Sequence, residues 1–88
     1  MATTFDVVFL PRVVRSLDRI PQPMRARIIN AAESLGAKPY PPGVKKLQGS
    51  EFHRIRVGDY RIVYEVQGTV LRVLVVRIAT RGEVYRGL

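Results

Sequence analysis

The sequence predicts an α+β domain: an antiparallel sheet with a helical hairpin packed on one face, in the order β-α-α-β-β-β. Three observations carry this. Apolar residues recur at helical spacing over two stretches of the first half. The period changes to two after the loop from Pro39 to Gly43. Gly-X dipeptides then cut the second half into strand-length runs. With 88 residues and no repeats or linkers, the whole of 1–88 reads as a single domain.

Thr4 to Leu10 is rich in β-branched and aromatic residues, which predicts the first strand. Pro11 suits the first turn of a helix, and Val13, Val14, Leu17 and Ile20 follow at helical spacing. A second helix is expected from about Pro23, with Met24, Ile28, Ala31, Ala32 and Leu35 on one stripe and Gly36 as its C-cap. Phe52 to Val57, Tyr60 to Gln67 and Val70 to Ile78 read as three strands. Their connections, Gly58-Asp59 and Gly68-Thr69, are two-residue loops of the type II′ kind.

Those turns imply a register. Val57 faces Tyr60, Arg56 faces Arg61, Ile55 faces Ile62 and His53 faces Tyr64. In the second hairpin Val66 faces Leu71, Glu65 faces Arg72, Tyr64 faces Val73 and Ile62 faces Val75. Alternation then puts Ile55, Val57, Ile62, Tyr64, Val66, Leu71, Val73 and Val75 toward the helices. The other face takes Arg54, Arg56, Arg61, Glu65 and Arg72, with Val63, Leu74 and Val76. His53 is expected to be a packed, hydrogen-bonded core residue opposite Tyr64.

Composition narrows the function. The chain has 15 Lys+Arg against 7 Asp+Glu, a net charge of +8, which favours a polyanionic partner. Cysteine is absent and histidine single, so a thiolate or zinc site is excluded and no metal or cofactor is expected. No apolar run approaches the ~20 residues of a membrane span. The N-terminal residues Met1 to Asp6 lack the pattern of a signal peptide, so a cytoplasmic protein is expected.

The pairing of Arg56 with Arg61 is the informative feature. Like charges directly opposite on a sheet destabilise it, and here Arg54, Arg56 and Arg61 crowd together without an acid among them. An anion bound there would relieve the repulsion. A merely basic surface accounts for scattered arginines as well. The tail, Thr80-Arg81-Gly82-Glu83-Val84-Tyr85, could bring Arg81 and Tyr85 to the same region; alternatively Tyr85 packs on the sheet edge. Arginine suits phosphate because its planar fork donates two parallel hydrogen bonds. Tyrosine can stack on an unpaired base. Lys45 and Lys46, just before the second strand, either extend a phosphate footprint or are solvated loop lysines. Arg12, Arg15, Arg19, Arg25 and Arg27 are read as surface charge, or as contacts to a polyanionic or acidic partner.

Four segments in order, Lys46-Leu47-Gln48-Gly49, His53 to Val57, Asp59 to Tyr64 and Arg81 to Tyr85, resemble the successive signatures of the RelE/ParE toxins. The resemblance covers nearly the whole chain and is strongest from Lys45 onward. It implies the toxin of a type II toxin–antitoxin system, a ribosome-dependent endoribonuclease with catalytic positions at Arg54, Arg56, Arg61, Arg81 and Tyr85. Attack of a ribose 2′-hydroxyl on its own 3′-phosphate would leave a 2′,3′-cyclic phosphate, without a metal. It also implies a cognate acidic, RelB-like antitoxin in a hetero-oligomer, and messenger and ribosomal RNA as partners. The sequence departs from the family in having arginine at both positions of a basic pair that is often lysine, and Thr80 where many relatives have histidine. A guanidinium gives up its proton poorly, so Arg54 and Arg56 would clamp phosphate rather than act as bases. A ParE-like toxin that inhibits DNA gyrase is the alternative function.

Overall fold

The structure is a computed structural model that describes residues 4–80. Along the chain come β1 (Asp6–Phe9), α1 (Pro11–Asp18), α2 (Met24–Ser34), β2 (Lys45–Lys46), β3 (Phe52–Val57), β4 (Tyr60–Gln67) and β5 (Arg72–Thr80). The strands form one sheet in the order β1-β5-β4-β3-β2. All neighbours are antiparallel except β1, which runs parallel to β5. That parallel pair requires a long crossover, and the helical hairpin lies within it.

The helices bury one face against the sheet, as the spacing predicts. Val13, Leu17 and Ile20 from the α1 region and Ile28, Ala32 and Leu35 from the α2 region join Ile55, Ile62, Tyr64, Val73, Val75 and Ile78 in the core. Val14 departs from the prediction and is 47% exposed. Gly36 does not end α2 in a left-handed conformation. It is required because a Cβ there would sit 2.7 Å from the carbonyl oxygen of Phe5. The Phe5 N–H donates to the Gly36 carbonyl at 2.7 Å, which ties the entry of β1 to the end of α2.

The hairpin between β3 and β4 has the predicted register, and Gly58 opens its turn at φ +59°. The next hairpin does not. Gly68 to Leu71 form a four-residue turn, with Leu71 at φ +51° and the Leu71 N–H pointing back at the Gly68 carbonyl at 3.4 Å. Val66 therefore faces Val73 rather than Leu71, Glu65 faces Leu74 rather than Arg72, and Tyr64 faces Val75 rather than Val73. A bulge at Val63/Tyr64 then shifts the ladder by one residue, so Ile62 faces Ile78 rather than Val75. Leu71 leaves the core face and is exposed in the turn, while Ile78 enters the core. The physical reason is non-local: the Asp6 N–H of β1 takes the Leu71 carbonyl at 2.9 Å, which holds the turn residue where a two-residue loop would have made it strand.

The bulge also explains a helix arginine. Val76 is the extra residue, and its carbonyl accepts a hydrogen bond from Arg12 Nε at 3.0 Å. Arg12 is thus a clasp between α1 and β5, not free surface charge. We expect Arg12→Ala to lower stability by about 1–2 kcal/mol, because the Val76 carbonyl loses a charged donor. Denaturation in urea checks this; an unchanged midpoint would exclude the clasp.

Candidate nucleic-acid interface

Residues alternate across a strand, so the sheet has a helix face and an outer face. Arg54 and Arg56 of β3 and Arg61 of β4 share the outer face, as predicted. Arg56 lies directly opposite Arg61. The structure adds a second like-charge pair that only β2 makes possible: Lys45 lies opposite Arg54. The two pairs are neighbours, because Arg54 and Arg56 are two residues apart on one strand. Among the described residues no hydrogen bond or ion pair ties Lys45, Arg54, Arg56 or Arg61 to a partner. Four cations on one patch of sheet, uncompensated, make a potential well for a polyanion.

Lys46 does not belong to this patch. It pairs with His53, and alternation turns it toward the opposite face from Lys45. The two lysines are therefore separable. We expect Lys45→Ala to weaken binding of single-stranded RNA and lower the slope of log K against log salt by about 1, and Lys46→Ala to leave both unchanged. Equal losses in filter-binding titrations would remove Lys45 from the patch.

Glu65 lies four strand steps from Arg61, about 14 Å at 3.4 Å per residue, but is a diagonal cross-strand neighbour of Arg54, which sits opposite Val63. Its carboxylate instead accepts from Gln67 Nε2 at 2.7 Å. Val63 and Val76 are buried on the outer face, with Leu10, Leu47, Phe52, Leu74 and Ala79 against them, and Val63 is flanked in the ladder by Arg54 and Arg77.

His53 lies opposite Tyr64 as expected. It packs between aromatic rings, with centroids 5.0 Å from Tyr40 and 6.0 Å from Tyr64. The expected hydrogen bond is missing at one nitrogen: Nδ1 is buried without a partner among the described residues. Tyr64 is wholly buried, and its hydroxyl donates to the Pro39 carbonyl at 2.6 Å. Burial first, and Tyr40 second, push the Tyr64 phenol up to about 12 from 10. This contact pins the loop that leads into Lys45, so a core tyrosine helps to place an outer-face cation. No metal-binding group of side chains occurs among the described residues, and no described helix is long and apolar enough to cross a membrane.

β5 ends at Thr80, opposite Tyr60, one step past the register pair of Arg61 with Ala79. Arg81 and Tyr85, expected at the same site, lie outside the described residues.

A model of the ParE toxin of type II toxin–antitoxin systems matches residues 7–85. Among solved structures, the chain is similar to one in the archaeal RelE–RelB complex from Pyrococcus horikoshii, with 28% identity, a TM-score of 0.80, and coverage of 90% of this chain and 97% of that one. It is similar to a chain of the RelB–RelE antitoxin–toxin complex from Methanococcus jannaschii at 28% identity and TM-score 0.72, covering 92% and 98%. A chain of the toxin–antitoxin complex RelBE2 from Mycobacterium tuberculosis shares the fold at 23% identity and TM-score 0.79, over 89% and 99%. No curated protein sequence matches the chain.

Proposed function

Because the chain belongs to the ParE toxin family of type II toxin–antitoxin systems, within the RelE/ParE superfamily, we propose that it acts as the nuclease kind of toxin and cuts messenger RNA on the ribosome. The observation that carries this is the pair of like-charge contacts, Lys45 with Arg54 and Arg56 with Arg61, left uncompensated among the described residues. A fold does not keep such a patch for its own stability. A backbone phosphate laid across it cancels the repulsion and is held by forked donors.

In-line attack of a ribose 2′-oxygen on its 3′-phosphate builds negative charge on the phosphorane oxygens. The Arg56 and Arg61 guanidinium groups stabilise that charge. Arg54 and Lys45 bind the neighbouring phosphate. Arg81, which follows Thr80 directly in sequence, and Tyr85 complete the set, with Tyr85 stacking on a base. The leaving 5′-oxygen takes a proton, and the products are a 2′,3′-cyclic phosphate and a 5′-hydroxyl. Glu65, the carboxylate diagonal to Arg54, is engaged with Gln67. The 2′-proton therefore goes to solvent or to a ribosomal group, which makes the ribosome part of the active site and free RNA a poor substrate.

The solved complexes that the chain is similar to pair RelE with RelB antitoxins. A cognate antitoxin, acidic to match the +8 charge, is the corresponding partner here, in a cytoplasmic hetero-oligomer. Toeprinting of a translated message tests the activity: cuts that appear only on translating ribosomes are expected. The family model's own description, ParE, keeps one other reading in play. Intact message together with inhibited supercoiling by gyrase would establish that reading instead.

A further inference from the structure

β2 enters the sheet with only two residues, Lys45 and Lys46. A strand that short gains little from its own ladder. The outer face works against it as well. Lys45 lies opposite Arg54, and like charges across a ladder push the two strands apart. The position of Lys45 therefore has to be set from outside the pair.

The helix face supplies the means. There the ring of His53 meets Tyr64 of β4, with centroids 6.0 Å apart, and Tyr40 of the proline loop, edge-on at 5.0 Å. Both lie within the range at which aromatic rings attract. Tyr64 is a core residue, but Tyr40 is 59% exposed, so core burial does not account for where it sits. The preceding residue is tied down too, since the Pro39 carbonyl accepts from the Tyr64 hydroxyl at 2.6 Å. Two successive loop residues are thus fixed on β3 and β4. From there the chain makes one turn. The Val44 N–H donates to the Pro41 carbonyl at 3.1 Å, Gly43 stands at φ +86°, and Lys45 follows directly. The far end of β2 is closed by the Leu47 N–H, which donates to the Phe52 carbonyl at 2.9 Å. The end beside Lys45 is closed by the rings.

His53 serves here as a flat ring. Its imidazole makes no hydrogen bond among the described residues, and its Nδ1 is buried. A buried nitrogen left unpaired costs stability, so ring packing is the favourable interaction at this position.

We propose that Tyr40 and His53 are positioning residues for the basic patch. Their ring contact clamps β2 to β3 on the helix face and so keeps Lys45 beside Arg54 on the outer face, against the repulsion between them. The inference rests on the function proposed above to the extent that Lys45 binds phosphate. It goes further in placing control of the patch in two side chains on the opposite side of the sheet.

The test uses the full chain and a single-stranded RNA whose 2′-deoxy linkages prevent cleavage. Tyr40→Ala should lower the slope of log K against log salt by about 1, the same loss as in Lys45→Ala. The double variant should lose no more than either single one, because both remove one and the same phosphate contact. Tyr40→Phe and His53→Phe keep the rings and should bind like the unaltered chain. Amide exchange reads the clamp without RNA: in Tyr40→Ala the Leu47 amide should lose protection while β4 keeps it. Full RNA binding by Tyr40→Ala, a slope lowered by about 2 in the double variant, or weakened binding by His53→Phe would each overturn the proposal. So would unchanged protection at Leu47, or protection lost throughout the sheet. Leu47 protection lost in Tyr40→Ala, in a chain whose RNA binding does not depend on Lys45, would defeat the phosphate-binding role of Lys45 and leave the clamp standing.

Discussion

Arg61→Ala should lower the proposed cleavage of ribosome-bound message by about 10²–10³-fold and abolish toxicity, while the protein stays folded. The size follows from removing one preorganised donor aimed at charge that develops in the transition state. The retained fold follows from the register. Arg61 faces Arg56, so alanine removes a like-charge contact, and stability at low salt should stay level or rise. Activity and stability therefore move in opposite directions, which a merely structural arginine would not produce. Arg81→Ala should cost as much activity, by the same argument, if its guanidinium reaches the phosphate. The measurements are toeprinting, growth on induction without antitoxin, and a urea melt. Full toxicity in Arg61→Ala would remove the patch from the mechanism. Loss of activity together with loss of fold would reduce Arg61 to a packing residue.

The largest effect on stability is expected at Tyr64. Its ring is wholly buried between the helices and the sheet, and its hydroxyl holds the Pro39 carbonyl. Tyr64→Ala should cost about 3–5 kcal/mol, as for other large-to-small aromatic changes in a core. A domain of this size has a total stability of about 5–15 kcal/mol, so that variant is close to unfolding. Tyr64→Phe keeps the ring and strands the carbonyl, at about 1–2 kcal/mol.

The same residue sets a pH limit. Folding raises the phenol from 10 to about 12, so the folded state keeps its proton where the unfolded chain has lost it. The stabilisation is full below pH 10 and falls as pH rises toward 12, by up to about 2–3 kcal/mol. Tyr64→Phe lacks this term. Urea midpoints measured between pH 9 and 12 should converge for the two proteins. Parallel curves would show that the hydroxyl is not held as described.

Much of the candidate site was legible because it depends on local chemistry. Gly58-Asp59 closes β3 onto β4, and a two-residue loop leaves a single register, so the opposition of Arg56 and Arg61 can be counted along the chain. The helices were legible from their apolar period and Pro11. Lys45 and Lys46 were not distinguishable, because two residues show no period; only the ladder to Arg54 and His53 assigns them to different faces. Arg12 carried no signal at all, since the carbonyl it binds is freed by a bulge 64 residues away.

The sequence by itself therefore determined the order of the two helices and four of the strands, the helix stripe, the first hairpin and the three-arginine face, but not the short β2, which it read as loop. Each of these is a matter of steric preference or periodicity over a few neighbouring residues. The tertiary structure alone decided the parallel pairing of β1 with β5, the four-residue turn at Leu71, the bulge at Val63/Tyr64 and the short ladder of β2 on β3. These are set by main-chain hydrogen bonds between segments far apart in the chain. Every residue offers the same N–H and carbonyl to such bonds, so side-chain identity does not announce which of them will meet.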